Sequence, residues 1–336
     1  MDWMNNLIIP LVVTLVFALF VLGAGAYATL WERKLCGRFQ LRYGPNRAGK
    51  FGLLQPIADA VKAFMKEEIV PHTVEKFVYI IAPGIALAAV IVTFGVIPIG
   101  QTWNIFGYNV RLQVADIDVG LLYVMAIAGL GGYGIVLGGW SSNNKYSLLG
   151  ALRTTAQLIS YELPMGLALV GVAMVVGSLK MSDIVRYQHT WPLFILQPIG
   201  FILYLISGFA EGNRSPFDLP ETENELVSGF ATEYGGIKFA LYFIAEYSNM
   251  FVISSIVATV FLGGWQWPAF LANIHPVISV GVFGAKVVAM MFLYVWVRAS
   301  LPRVRFDKLM KFSWQFMFPL ALLNLAVTAV IVALTA

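Results

Sequence analysis

The sequence predicts an all-α, polytopic membrane protein with eight transmembrane helices and an amphipathic helix on one membrane face. Three observations carry this. Apolar residues make up 59% of the 336 residues and charged residues only 12%, against roughly 50% and 25% in ordinary soluble domains. The apolar residues fall in long runs, and about 20 in succession are what a helix needs to cross a hydrocarbon core. The Lys and Arg residues fall almost wholly in alternate connections between those runs.

We read eight runs: Leu7–Leu30, Phe77–Ile97, Val119–Gly139, Leu158–Gly177, Pro192–Phe209, Phe239–Leu262, Ile278–Val297 and Phe316–Leu334. Backbone N–H and C=O groups find no water in lipid, so each run must satisfy its own, which a helix does. Transmembrane strands would alternate apolar and polar residues over segments of roughly ten, and these runs do not alternate. The first run has no basic stretch ahead of it and lacks a convincing cleavage site, so it reads as a retained helix rather than a removable signal. Pro192–Phe209 is the shortest run. The whole chain, residues 1–336, reads as one integral membrane domain.

Basic residues orient it. Connections one, three, five and seven hold 18 Lys and Arg residues, the other three hold 3, and Lys286 lies inside run seven. Lys and Arg collect on the cytoplasmic side. The odd connections are therefore expected in the cytoplasm and both termini in the periplasm, with the chain in an inner membrane. The net charge of +4 is this bias seen from afar, and it carries no nucleic-acid signal. Cys36 is alone, and His72, His189 and His275 match no ligand spacing, which speaks against haem, zinc or an iron–sulfur cluster held within this chain. Gly129, Gly131 and Gly134 spell the dinucleotide fingerprint, but that fingerprint needs a strand before it and a helix after it. Here it sits within a membrane run, where close helix packing explains it better.

The first connection, residues 31–76, is long and patterned. Within residues 52–68, Leu53, Leu54, Ile57, Val61, Phe64 and Met65 recur at helix spacing, with Asp59, Lys62 and Lys66 on the other side. Too short and charged to span, this segment should lie along the membrane surface. It is either a plain anchor or the lining of an entrance, with Asp59 and Lys62 facing a wet or protein-covered space. Tyr43-Gly44-Pro45-Asn46 specifies a turn, so the connection is expected to form a structured surface. The fifth connection, residues 210–238, carries Glu211, Asp218, Glu221, Glu223, Glu225 and Glu233 against Arg214 and Lys238. Acids do little for topology. They interleave with Phe217, Leu219, Leu226, Val227, Phe230 and Tyr234, which suits a folded segment more than a solvated one. Clustered carboxylates repel one another, so at least one should be available for protonation.

Three charges lie within or near the runs. Glu162 is about one turn into run four, Glu246 about two turns into run six, and Lys286 well inside run seven. A charge in hydrocarbon is costly and usually faces a bundle interior or a water path. Glu162 reads either as a snorkelling end residue or as one of these. Lys286 reads as a buried structural partner or as a counter-charge to Glu246. With the acidic connection, these groups trace a titratable line into the membrane from the cytoplasmic side.

Several stretches together resemble one family. They are Glu32-Arg33-Lys34 with Gln40-Leu41-Arg42-Tyr43-Gly44-Pro45-Asn46, and GLLQPIADAVKAFMKEE at residues 52–68. Gly139-Trp140-Ser141-Ser142-Asn143 with Lys145-Tyr146 follows, then ALRTTAQLISYE ending at Glu162. The last are EGNRSPFDLPETENELVSGFATEY from Glu211 to Tyr234, and Ala245-Glu246-Tyr247. In this order they are similar to the quinone-site membrane subunit of bacterial proton-pumping NADH:quinone oxidoreductase, respiratory complex I, over essentially the whole chain. Parts of the same loops resemble membrane subunits of energy-converting hydrogenases, and a secondary ion transporter is a further class to weigh.

The resemblance implies eight transmembrane helices, a surface helix, and a chain that forms part of a quinone chamber and couples quinone reduction to proton translocation. It implies Arg33, Arg42, Asp59 and Lys62 near the chamber, and Glu162, Glu211, Glu221, Glu223, Glu225 and Glu246 on an acidic path. Asp218 and Lys286 join the coupling candidates from their placement in the sequence. It further implies quinone as substrate, no cofactor bound by this chain alone, and FMN and iron–sulfur clusters in partner subunits. Those partners are other membrane subunits and the quinone-proximal hydrophilic subunits, with the lipid bilayer around them and no nucleic acid.

Overall fold

Hydropathy marks where lipid lies, not where a helix stops, and several helices of this protein outrun their apolar runs. The computed structural model describes residues 8–105, 108–219, 223–268 and 275–335. It opens with α1 (Ile9–Phe39), which continues nine residues past Leu30. A short 3-10 turn leads to the surface helix α2 (Gln55–Met65), and α3 (Lys76–Phe94) enters the bundle. A two-stranded antiparallel hairpin follows, β1 (Trp103–Ile105) against β2 (Tyr108–Val110), with Trp103 opposite Val110. Only a tight turn separates α4 (Gly120–Ser141) from α5 (Lys145–Val176). Next come α6 (Met181–Tyr187), α7 (Leu193–Leu196), α8 (Pro198–Glu211) and α9 (Glu223–Leu226). The chain ends with α10 (Gly236–Val260), α11 (Pro276–Ser300), α12 (Phe306–Phe312) and α13 (Phe318–Thr335). A π-turn at residues 313–317 joins the last two into one continuous span.

Among the described residues, seven helices are long and apolar enough to cross a membrane, and α8 is a shorter apolar one. The polytopic all-α architecture is as expected, but run five is not one helix. It breaks at Gln197, whose φ of −131° and ψ of 61° are not helical. Pro198 has no N–H to donate and disfavours the helical conformation in the residue before it. The buried Gln197 side chain holds the break in place, donating to Thr328 Oγ1 of α13 at 2.8 Å and to Gly171 O of α5 at 3.4 Å. The hairpin has no counterpart in the hydropathy pattern, because its strands are only three residues long.

α10 is the central pillar: 78% of its most apolar stretch is buried, against 17% for α1. Its Ser254, Ser255 and Thr259 hydroxyls donate to carbonyls one turn back, so they are satisfied without water. α3 and α4 lie close because of the glycine-rich stretch. A Cβ at Gly134 would meet Ala86 N at 2.7 Å, and one at Gly138 would meet Tyr242 Oη at 2.1 Å. That stretch is a packing seam between helices.

Candidate functional site

Connections one and five meet on the basic face. A cavity of about 500 Å³ opens there between α1, α2 and the start of α10. Its polar wall includes Arg33, Asp59, Lys62 and Lys66, and its apolar wall includes Phe239, Phe243 and Ile244. The two-sidedness of α2 explains this arrangement. Leu53, Leu54, Ile57, Val61, Phe64 and Met65 are exposed on its outer side, while Pro56, Asp59, Lys62 and Ala63 border the cavity. The amphipathic segment is a lining as well as an anchor. Asp59 Oδ2 accepts from Arg33 Nη1 at 2.7 Å, and Asp59 Oδ1 accepts from Gln55 Nε2 at 2.9 Å. Arg42 lies outside these walls, exposed, with its Nε donating to Gln40 Oε1 at 2.7 Å. The rest of the connection is folded as its turn residues suggest. Lys34 Nζ donates to Phe51 O. Gly52 takes φ +72°, and a Cβ there would meet Pro45 O at 2.2 Å, so only glycine closes this loop.

An ion cluster adjoins the cavity, one residue along α1 from Arg33 and two along α10 from Ile244. Glu32 is buried and accepts from Arg214 Nη1 at 3.2 Å, from Tyr247 Oη at 3.2 Å, and from Arg298 Nη1. Arg214 Nε lies 3.1 Å from Glu246 Oε1, an ion pair whose approach is off the N–H axis. The guanidinium also sits over the Tyr247 ring, 3.8 Å from its centroid, and the side chain is only 4% exposed. Burial alone would push the arginine pKa down, but Glu246, Tyr247 and Glu32 overcome this and hold Arg214 above its usual value. Arg214 is a fixed positive charge shared between two carboxylates.

A second cavity, of about 60 Å³, is bordered by both Glu211 and Glu246, with Asn213, Asn249 and Tyr242 among its other polar walls. Glu211 is buried, at the last turn of α8. Glu162 is close enough for its charge to act on Glu211. It is the eighteenth of the 32 residues of α5, because α5 begins well before the apolar run. A Cβ at Gly129 would come within 3.1 Å of Glu162 Oε1, so the glycine of α4 leaves room for this carboxylate.

The remaining acids sit nearer the surface. Asp218 accepts from Arg303 Nη2 at 2.7 Å. Glu225 pairs with Arg153 and is half-exposed. Glu233 Oε1 accepts from Asn144 Nδ2 at 2.6 Å, and Lys238 pairs with Glu68 at 3.1 Å. Glu223 opens α9, and Glu221 lies outside the described residues. Phe217, Leu219, Leu226, Phe230 and Tyr234 are buried, and Val227 is exposed. Tyr234 stacks on Tyr79 with centroids 4.2 Å apart, and Tyr79 Oη donates to Glu233 O at 2.6 Å. The described part of the acidic connection is folded, as its interleaving indicates.

Lys286 does not pair with Glu246. Its ammonium donates to Leu262 O at 2.6 Å, Gly264 O at 2.7 Å and Trp267 O at 2.5 Å, beyond the far end of α10. Helix geometry is the reason. Side chains tilt towards the N-terminus of their helix, and the N-terminus of α11 lies on the side away from Glu246. Sequence reasoning also missed Glu32, Arg214, Arg298 and Tyr247 as a cluster. A signal was present, an acid at the head of the most basic connection, but Arg214 and Arg298 read there only as topology signals.

The molecule is thus a multi-pass helical membrane protein with a cavity at one face, backed by buried charges that compensate one another. The chain belongs to the NADH dehydrogenase family, whose model matches residues 11–329. It is 50% identical to an H subunit of the NADH-quinone oxidoreductase of Geobacter metallireducens, with 95% of this chain and 94% of the relative covered. It is 49% identical to the H subunit of the NADH-quinone oxidoreductase of Thermomicrobium roseum, with 98% of each chain covered. With the corresponding protein of Deinococcus radiodurans it shares 47% identity over 99% of this chain and 85% of the relative.

Proposed function

We propose that the chain is the quinone-side membrane subunit of a bacterial NADH:quinone oxidoreductase, forming part of the quinone chamber and coupling quinone reduction to proton translocation. The relatives carry the name of a subunit of that enzyme, which favours this reading over a component of an energy-converting hydrogenase or a secondary ion transporter. The observation that carries the finer reading is the cavity of about 500 Å³ with an apolar wall on α10 and the Arg33–Asp59 pair and Lys62 on its polar side. Its size falls in the usual range for organic ligands, roughly 300–1,000 Å³. A quinone suits such walls: its carbonyl oxygens accept hydrogen bonds from cationic donors, and its tail needs an apolar slot. The excess of basic residues on this face supports a cytoplasmic orientation, with both termini periplasmic in the inner membrane.

Electrons reach the quinone from partner subunits that carry FMN and iron–sulfur clusters. This chain supplies the slot, the charges around it and the start of a proton route. Reduction changes charge beside Asp59 and Glu32. Arg214 shares its charge between Glu32 and Glu246, so a change at one carboxylate alters the other. Glu246 borders the small cavity with Glu211, and Glu162 lies within electrostatic reach of Glu211. Charges in a poorly solvated interior act strongly on one another, so this coupling works without a large backbone movement. A cavity of about 60 Å³ has space for a few waters to bridge the carboxylates.

Asp59→Asn keeps the shape of the wall and removes its negative charge. In an assembled complex it should slow quinone reduction about tenfold, the effect of losing one charge-assisted contact of roughly 1.5 kcal/mol. Electron transfer from NADH to a water-soluble artificial acceptor should be unchanged. Equal loss of both activities would overturn the chamber assignment.

A further inference from the structure

The face opposite the chamber is poor in basic residues, and the few it has are gathered together. Arg111, Lys180 and Arg186 are the only Lys or Arg in the even-numbered connections, and all three line one cavity of about 470 Å³ between the hairpin connection, α6 and Trp265. Internal pairing accounts for one of them. Lys180 Nζ lies 3.2 Å from Asp118 Oδ1 and 3.3 Å from Asp116 Oδ2, and hydrogen bonds to these two aspartates hold its pKa above the usual lysine value. Arg186 meets Asp183 only at 3.5 Å, with 70% of its side chain exposed. Arg111 is exposed and pairs with no carboxylate among the described residues. Two guanidinium groups therefore border the cavity with hydrogen-bond donors to spare.

The setting narrows the ligand. The cavity lies where the chain leaves the bundle after α3 and before α6, beside Trp265. Tryptophan favours the headgroup level of a bilayer. The volume exceeds what a bare phosphate fills and falls within the range for a small organic group. Planar guanidinium forks match phosphate oxygens two at a time. Asp116 lines the cavity, while Asp118 and Asp183 stand at its rim, 3.2 Å from Lys180 and 3.5 Å from Arg186, so three bases meet three carboxylates there, and the Asp118 side chain is 93% exposed. Such a balance fits a headgroup carrying its own ammonium better than a multiply charged anion. We propose that this cavity seats the headgroup of an amine-bearing zwitterionic phospholipid, with Arg111 and Arg186 on the phosphodiester and the ammonium at the rim on Asp118, whose other oxygen holds Lys180.

The test uses the whole complex, depleted of lipid and re-supplied with phosphatidylethanolamine or with phosphatidylglycerol of the same chains. Lipid retained through a stringent detergent wash is counted by native mass spectrometry. Wild type should retain one more phosphatidylethanolamine than the Arg111→Gln, Arg186→Gln double variant, and this difference should vanish with phosphatidylglycerol. If the glutamine variant fails to assemble, the Arg111→Lys, Arg186→Lys pair is read instead. It keeps the charges, loses the forks, and should hold the lipid several-fold more weakly. Equal retention by wild type and variant would overturn the proposal. So would equal or stronger retention of phosphatidylglycerol. A free-phosphate site would show itself if inorganic phosphate stabilised the lipid-depleted complex against heat as much as the lipid does, and that result would overturn it too.

Discussion

Charge is buried in two ways in this protein. Beside the cavity between α1, α2 and α10, Glu32, Arg214, Glu246 and Arg298 meet charge with charge. Beyond the far end of α10, Lys286 meets three backbone carbonyls instead. In the first region every carboxylate shares a counter-charge with another, so one proton gained or lost re-weights the whole set. In the second region the partners of the ammonium do not titrate. An ionisable residue inside a membrane span therefore does not by itself mark a proton route. The proposed coupling asks for more, a set of partners that can change their own charge.

The comparison can be broken from either side. The largest effect should come from Arg214→Met, which leaves Glu32 and Glu246 without their shared cation. Breaking a buried pair by removing one partner costs about 3–5 kcal/mol, so assembled complex should fall sharply or its Tm drop by many degrees. A variant that assembles with an unchanged Tm would show that the cluster is not held by charge. Lys286→Met should cost less, about 1–3 kcal/mol for the carbonyls left without a donor. It should lower the Tm while leaving protons moved per NADH unchanged in the complex that assembles. Loss of pumping at normal complex content would return Lys286 to the proton route. The smallest effect is expected from Glu225→Gln. Its pair with Arg153 is half-exposed, and such pairs contribute at most about 1 kcal/mol. Turnover and pumping should match wild type within error, and a large pumping defect would extend the coupling set outwards.

Much of the fold is legible because lipid imposes a simple rule on sequence. The apolar runs locate the spans, and the periodicity of residues 52–68 locates a surface helix whose polar side borders a cavity. Helix ends are not legible, since hydropathy stops at the lipid boundary while α1 and α5 continue beyond it. That gap hides the ion cluster. With the apolar run ended at Leu30, Glu32 reads as the frayed end of the first helix; on a helix reaching Phe39 it is carried into contact with α10 and α11. The same gap places Glu162 at mid-helix although it is only about one turn into its apolar run. Lys286 misleads for a different reason. Two charges at similar depth look like partners until the tilt of their side chains is known. The break at Gln197 is legible only in part: Pro198 signals it, but the partners that hold Gln197 come from α5 and α13, far away in sequence.

The central claim is that the buried carboxylates transmit quinone reduction into the membrane, and the ratio of protons moved to NADH oxidised tests it most directly. The measurement uses sealed vesicles containing assembled complex with Glu246→Gln, Glu211→Gln or Glu162→Gln, each at verified normal content. The account predicts that Glu246→Gln and Glu211→Gln lower both quinone reduction and proton transfer, by about tenfold or more if each carboxylate contributes at least roughly 1.4 kcal/mol to the coupled step. Electron transfer from NADH to an artificial acceptor should be untouched. Full quinone reductase activity with an unchanged proton-to-NADH ratio in all three variants would contradict it.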